Sequence, residues 1–78
     1  MNRTDALRAL TTAGFIYERP GQYVHPSGIT VSRDHEPQPS WWVRPDDASD
    51  SLAVGPTLTS VAADAVSAVD DAIAALTA

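Results

Sequence analysis

The last third of the chain constrains the fold most. Leu58, Val61, Ala65, Val66, Val69, Ala72, Ile73 and Leu76 fall within one broad stripe at about 100° per residue, with Asp64, Ser67 and Asp71 opposite. Such a helix is stable in water mainly when its apolar stripe is buried against something. Thr57, Thr59 and Ser60 offer hydroxyls that can cap its start. Asp70 and Asp71 come late, where the helix dipole disfavours anions by a few tenths to about 1 kcal/mol. No lysine or arginine lies near to offset them.

The surface that covers this stripe must come from the rest of the 78 residues. Thr4 is placed to cap a short helix starting at Asp5, with Ala6, Leu7, Leu10 and Ala13 as its apolar side and Gly14 as the left-handed residue that ends it. Residues 15–18, 22–25 and 29–33 read as strands separated by turns at Arg19-Pro20-Gly21 and Pro26-Ser27-Gly28. Residues 41–44 and 51–54 read as two more, divided by the polar segment 46–50. The fold expected is a single α+β domain over residues 1–78, a small antiparallel sheet of three to five strands with an N-terminal and a C-terminal helix on one face.

Charge is unevenly placed. Residues 1–45 carry five arginines against four acidic residues, a net of +1, whereas residues 46–78 carry six aspartates and no base. The resulting −5 disfavours general nucleic-acid binding, because a negative field repels phosphate. A basic protein partner is the natural complement of the acidic final helix, where Asp64 and Asp71 are the candidate contacts. Solubility alone is the plainer explanation of that charge. The chain has no cysteine, which excludes disulfides, thiolate metal sites and a cysteine nucleophile. Its N-terminus lacks a signal-peptide pattern and no window approaches about 18 apolar residues, so a cytoplasmic protein outside the membrane is expected.

Trp41 and Trp42 are adjacent in a chain with one phenylalanine. Neighbouring residues of a strand point to opposite faces, so one indole enters the core and the other does not. Trp41 shares parity with Val43 and is expected inside, with Phe15, Tyr17, Val24, Ile29, Val31 and Leu52. The same alternation sends Ile16, Tyr23, His25 and Trp42 to a face that two helices leave uncovered; with the register shifted by one, Trp42 is the buried indole and Trp41 takes its place as the partner-binding residue. Tryptophan and tyrosine dominate interface energies more than other residue types, so that face is the candidate partner-binding surface. A tryptophan lying under the loop of residues 34–40 is the plainer alternative.

Other candidates are weaker. Asp34, His35 and Glu36 stand in a row, but consecutive residues do not converge on one centre. Residues 46–50 lack the glycine and distal glutamate of a calcium loop. No metal or cofactor is expected.

Residues 5–35 resemble the HicA toxin family, whose α-β-β-β-α order is also that of double-stranded-RNA-binding domains. The resemblance is carried by a first helix running into Ala13-Gly14-Phe15, a hairpin turn with Gly21, and the run from His25 to Val31. It implies that topology and, in the family, RNA cleavage by a histidine beside the first hairpin turn. Here Gln22 stands at the family's serine and Tyr23 at its catalytic histidine, so no enzymatic activity is expected. The function expected is that of a small acidic protein-binding module. Arginine without lysine and abundant alanine fit a GC-rich genome, and a phage or mobile-element accessory or inhibitor protein suits the size. The alternatives are a HicA-like RNA-binding protein without its catalytic residue, and a homo-oligomer that buries the tryptophan face against itself.

Overall fold

The computed structural model describes residues 2–34, 39–45 and 51–77. The elements are α1 (Arg3–Ala13), β1 (Ile16–Arg19), β2 (Gln22–Val24), β3 (Thr30–Asp34), β4 (Ser40–Arg44), β5 (Ala53–Gly55) and α2 (Leu58–Thr77). The strands form one antiparallel sheet in the order β1-β2-β3-β4-β5, each paired with the next in sequence. Two helices and a five-stranded antiparallel sheet make this the α+β fold that the sequence pattern implies.

Helix α1 starts earlier than expected. Asn2, rather than Thr4, is its cap, and its Oδ1 accepts the Asp5 N–H at 2.8 Å. Asparagine outranks threonine at this position, which favours the earlier start. The other end follows expectation: Gly14 has φ 103°, its N–H donates to the Thr11 carbonyl, and the Phe15 N–H donates to the Leu10 carbonyl at 3.0 Å. These two bonds close the helix and turn Phe15 into the core.

Helix α2 begins at a reciprocal cap. Thr57 Oγ1 accepts the Ser60 N–H at 3.2 Å, and Ser60 Oγ accepts the Thr57 N–H at 3.3 Å. Leu58, Val61, Ala62, Ala65 and Val69 are then buried, on α1 and on the β4–β5 side of the sheet. The approach to β5 is close enough to demand glycine. A Cβ on Gly55 would lie 2.9 Å from Ser60 Cβ and 3.1 Å from a Val61 methyl. The stripe outruns the surface that covers it, so Ile73 is 45% exposed and Leu76 more so. The expectation that Ile73 is a core residue is therefore corrected.

Val31 on β3 and Val43 on β4 face each other across the ladder and are completely buried beneath the helices. Their register row continues through Tyr23 to Tyr17 and, in the other direction, to Ala53. The core also takes Ala6, Leu10, Phe15, Ile29 and Trp41. Tyr17 shares the helix side but remains 58% exposed, because β1 is the edge strand farthest from the β4–β5 side where α2 packs. Leu52, expected in the core, is also exposed, since it lies in a bend before β5 begins.

Val24 does not lie on the core side. It pairs with Ile16, and its neighbour Tyr23 faces the helices instead. The cause is a register shift in the first hairpin: Tyr17 pairs with Tyr23 but Arg19 pairs with Gln22, leaving Glu18 without an opposite number. One extra residue on one strand inverts the parity that simple alternation would carry across the turn.

Candidate docking face

The helices cover one side of the sheet. On the other side the register defines two rows, Ile16–Val24–Thr30–Arg44 and Gln22–Ser32–Trp42–Val54. A third, shorter row holds Asp34 and Ser40. None of the apolar residues in these rows belongs to the core cluster or packs against it. Among the described residues, no helix lies over this face.

Trp42 is near the centre of the face and half-buried. Its indole N–H donates to Ser40 Oγ at 2.8 Å. The guanidinium of Arg44, two residues on and so on the same face, lies over the indole with its Cζ 4.6 Å from the ring centroid. Arg44 Nε is shielded from solvent and has no hydrogen-bond acceptor among the described residues. At the β1–β2 end, Arg19 Nε donates to Gln22 Oε1 at 2.7 Å, which fixes a second guanidinium beside the face. Ile16 and Val54 flank it as exposed aliphatic side chains.

Trp41 is on the opposite side, 6% exposed. Tyr23 lies against it with ring centroids 6.3 Å apart, and the Arg33 guanidinium stacks 5.7 Å from its centroid. Tyr23 in turn meets Tyr17 edge-on at 5.7 Å. The adjacent indoles thus part as strand geometry requires, one into the core and one onto the open face.

Of the residues expected on the open face, Ile16 and Trp42 are there, whereas Tyr23 and His25 are not. His25 sits in the turn between β2 and β3 and acts as a brace. Its Nδ1 accepts the Ser27 N–H at 3.0 Å, so the proton resides on Nε2, which donates to the Ala13 carbonyl at 2.9 Å. Its ring meets Phe15 edge-on at 5.2 Å. The bond to Ala13 satisfies one of the carbonyls left open at the end of α1 and ties that helix to the β2–β3 turn.

Asp64 and Asp71 are exposed on α2 and line a groove with Ile29, Leu52 and Pro45. That groove is on the helix side of the sheet, whereas Trp42 is on the other side. His35, Glu36 and residues 46–50 lie outside the described residues. No cluster of three metal-ligating side chains occurs among the described residues, and no described helix is long and apolar enough to cross a membrane.

Arg44 is the residue that sequence reasoning missed. The signal was present: a cation two positions from an outward tryptophan in a strand shares its face.

An α+β fold of two helices and a five-stranded antiparallel sheet, with one sheet face that no described helix covers, is the class that these features define. No protein-family model, curated protein or solved structure matches the chain.

Proposed function

We propose that this chain is a small protein-binding module that works through the open face of its sheet. One observation carries the proposal: Arg44 stacks on a half-buried Trp42 in the middle of a sheet face that no described helix covers. Tryptophan and arginine are the residue types most often responsible for binding energy at protein interfaces. The stacking holds both in place before binding, which lowers the ordering cost of association. Ile16, Val24 and Val54 add apolar area around them. Small size and net acidity suit an accessory or inhibitor protein of a mobile element.

The test is capture of partners from an extract of the native cell by the wild-type protein, by Trp42→Ala and by an Asp64→Asn/Asp71→Asn double variant. Partners kept by the α2 variant and lost by Trp42→Ala support the sheet face. A loss of about 2 kcal/mol, or roughly thirtyfold in Kd, is expected for a purified partner. Capture unchanged by Trp42→Ala sinks the proposal.

A further inference from the structure

We infer that the groove on the helix side of the sheet docks a cationic amphipathic helix of a partner protein. The groove is separate from the Trp42 face, and its use is independent of the role proposed there.

One wall of the groove is α2. Asp64, Ser67, Ala68, Asp71 and Ala72 line it, three and four residues apart and so on one stripe of the helix. The other wall is Ile29, after the β2–β3 turn, with Pro45 and Leu52. The space between them is about 620 Å³, within the range of about 300–1,000 Å³ usual for ligand sites. It holds a few side chains of one segment. Leu52, on its apolar side, is 57% exposed. Ser67, Ala68 and Ala72 are small, which lets a second helix approach α2 closely.

Charge selects the occupant. Asp64 and Asp71 are both exposed, and neither carboxylate has a hydrogen-bond or ion-pair partner among the described residues. No arginine lines the groove. Arg3 lines a different cleft with Trp41 and Leu58, Arg8 lies 3.9 Å from Asp5, and Arg19 donates to Gln22. Arg33 and Arg44 are stacked on Trp41 and Trp42. The His25 ring is committed to the Ser27 N–H and the Ala13 carbonyl. The chain between Pro45 and Leu52 adds Asp46, Asp47 and Asp50 and no base. The groove therefore attracts a cation and repels phosphate, which excludes nucleic acid and an anionic membrane. The cleft between α1 and α2 makes no such choice, because Arg8 lines it together with Asp5 and Asp70.

Spacing selects the conformation. Asp64 and Asp71 are two helical turns apart, about 10.5 Å along α2. Basic residues seven apart on a second helix have the same separation, with aliphatic residues between them to meet Leu52 and Ile29. An extended strand places same-side residues about 7 or 13 Å apart and matches less well. The arrangement is that of an amphipathic helix laid in a groove.

The probe is a fluorescent alanine-based peptide of about 18 residues, long enough to be helical. It carries two arginines seven residues apart with two leucines between them. Anisotropy titration of the whole chain at low salt should saturate below about 1 mM peptide. Asp64→Asn and Asp71→Asn should each weaken binding about two- to fivefold and the pair about tenfold, and Leu52→Ala should weaken it about threefold or more. Asp70→Asn removes the same charge from another side of α2 and should change nothing. All four positions are exposed, and circular dichroism checks that each variant folds. A peptide with its arginines five residues apart, on opposite sides of the helix, should bind more weakly. No saturation by about 1 mM overturns the inference. So does binding that is indifferent to Asp64, Asp71 and Leu52, or that Asp70→Asn weakens as much as Asp71→Asn. Equal affinity for the two arginine spacings also overturns it, since that is attraction to an acidic surface without a docked helix.

Discussion

Replacing each tryptophan separately should give two very different proteins. Trp41 is 6% exposed, against Tyr23 and beneath the Arg33 guanidinium. Truncation of a buried tryptophan to alanine costs about 3–5 kcal/mol. A domain of this size has a total stability of about 4–12 kcal/mol, so Trp41→Ala stands near the limit of folding. Trp42 loses less. Its stacking with Arg44 contributes about 0.5–1 kcal/mol, and its hydrogen bond to Ser40 about 0.5–1.5 kcal/mol. Trp42→Ala should cost about 1–2.5 kcal/mol. With a urea m value of about 1 kcal/mol/M for a small domain, the two midpoints should differ by about 0.5–4 M, with about 2 M as the central value. Far-UV circular dichroism in urea, at a concentration where the chain is monomeric, measures this directly. Trp41→Phe, expected to cost about 1–2 kcal/mol, keeps the comparison readable if Trp41→Ala does not fold. Equal losses at the two positions, or a larger loss at Trp42, would refute the assignment of faces.

Three further outcomes follow from the packing. Asn2→Ala should cost about 1 kcal/mol and lower the melting temperature by about 4–8 °C, while Thr4→Ala should stay within about 0.5 kcal/mol; the reverse order in thermal melts would return the cap to Thr4. Gly55→Ala should destabilise by about 1–3 kcal/mol in urea titration, because the new methyl meets the first turn of α2, and a neutral result would mean that α2 does not approach β5 so closely. Ile73→Ala should cost under about 1 kcal/mol against about 2–5 kcal/mol for Leu10→Ala, and similar values would place Ile73 back in the core.

Much of the fold was legible because its signals are local. Gly14 ends α1 through a backbone angle that other residues rarely adopt, and Gly21, at φ 80°, turns the first hairpin as its position after Pro20 suggests. The stripe from Leu58 to Val69 needs no partner to be recognised as a helix face. Its length, however, does not say how far the covering surface extends. Ile73 and Leu76 continue the pattern beyond the residues that α1 and the sheet bury, and a periodicity count has no term for that. Exposure of Tyr17 has the same origin: the alternation within β1 is right, but α2 packs at the other end of the sheet.

The candidate site divides along the same line. Which way Trp41, Trp42 and Arg44 point depends only on alternation within β4, so the separation of the indoles could be read from Val43 alone. Which way Tyr23 points depends on how many residues are consumed between β1 and β2. Glu18 falls at a register shift that no composition rule announces, and its insertion exchanges Tyr23 for Val24 on the open face. The exchange changes the chemistry of the surface. With Tyr23 withdrawn to Trp41, the open face carries one aromatic residue instead of two, and the stacked Arg44 becomes its second strong binding group. Among the described residues, the one indole on this face is Trp42, with Arg44 stacked on it, Arg19 at the β1–β2 end and three aliphatic side chains around it, which is why a single substitution at Trp42 should separate folding from binding.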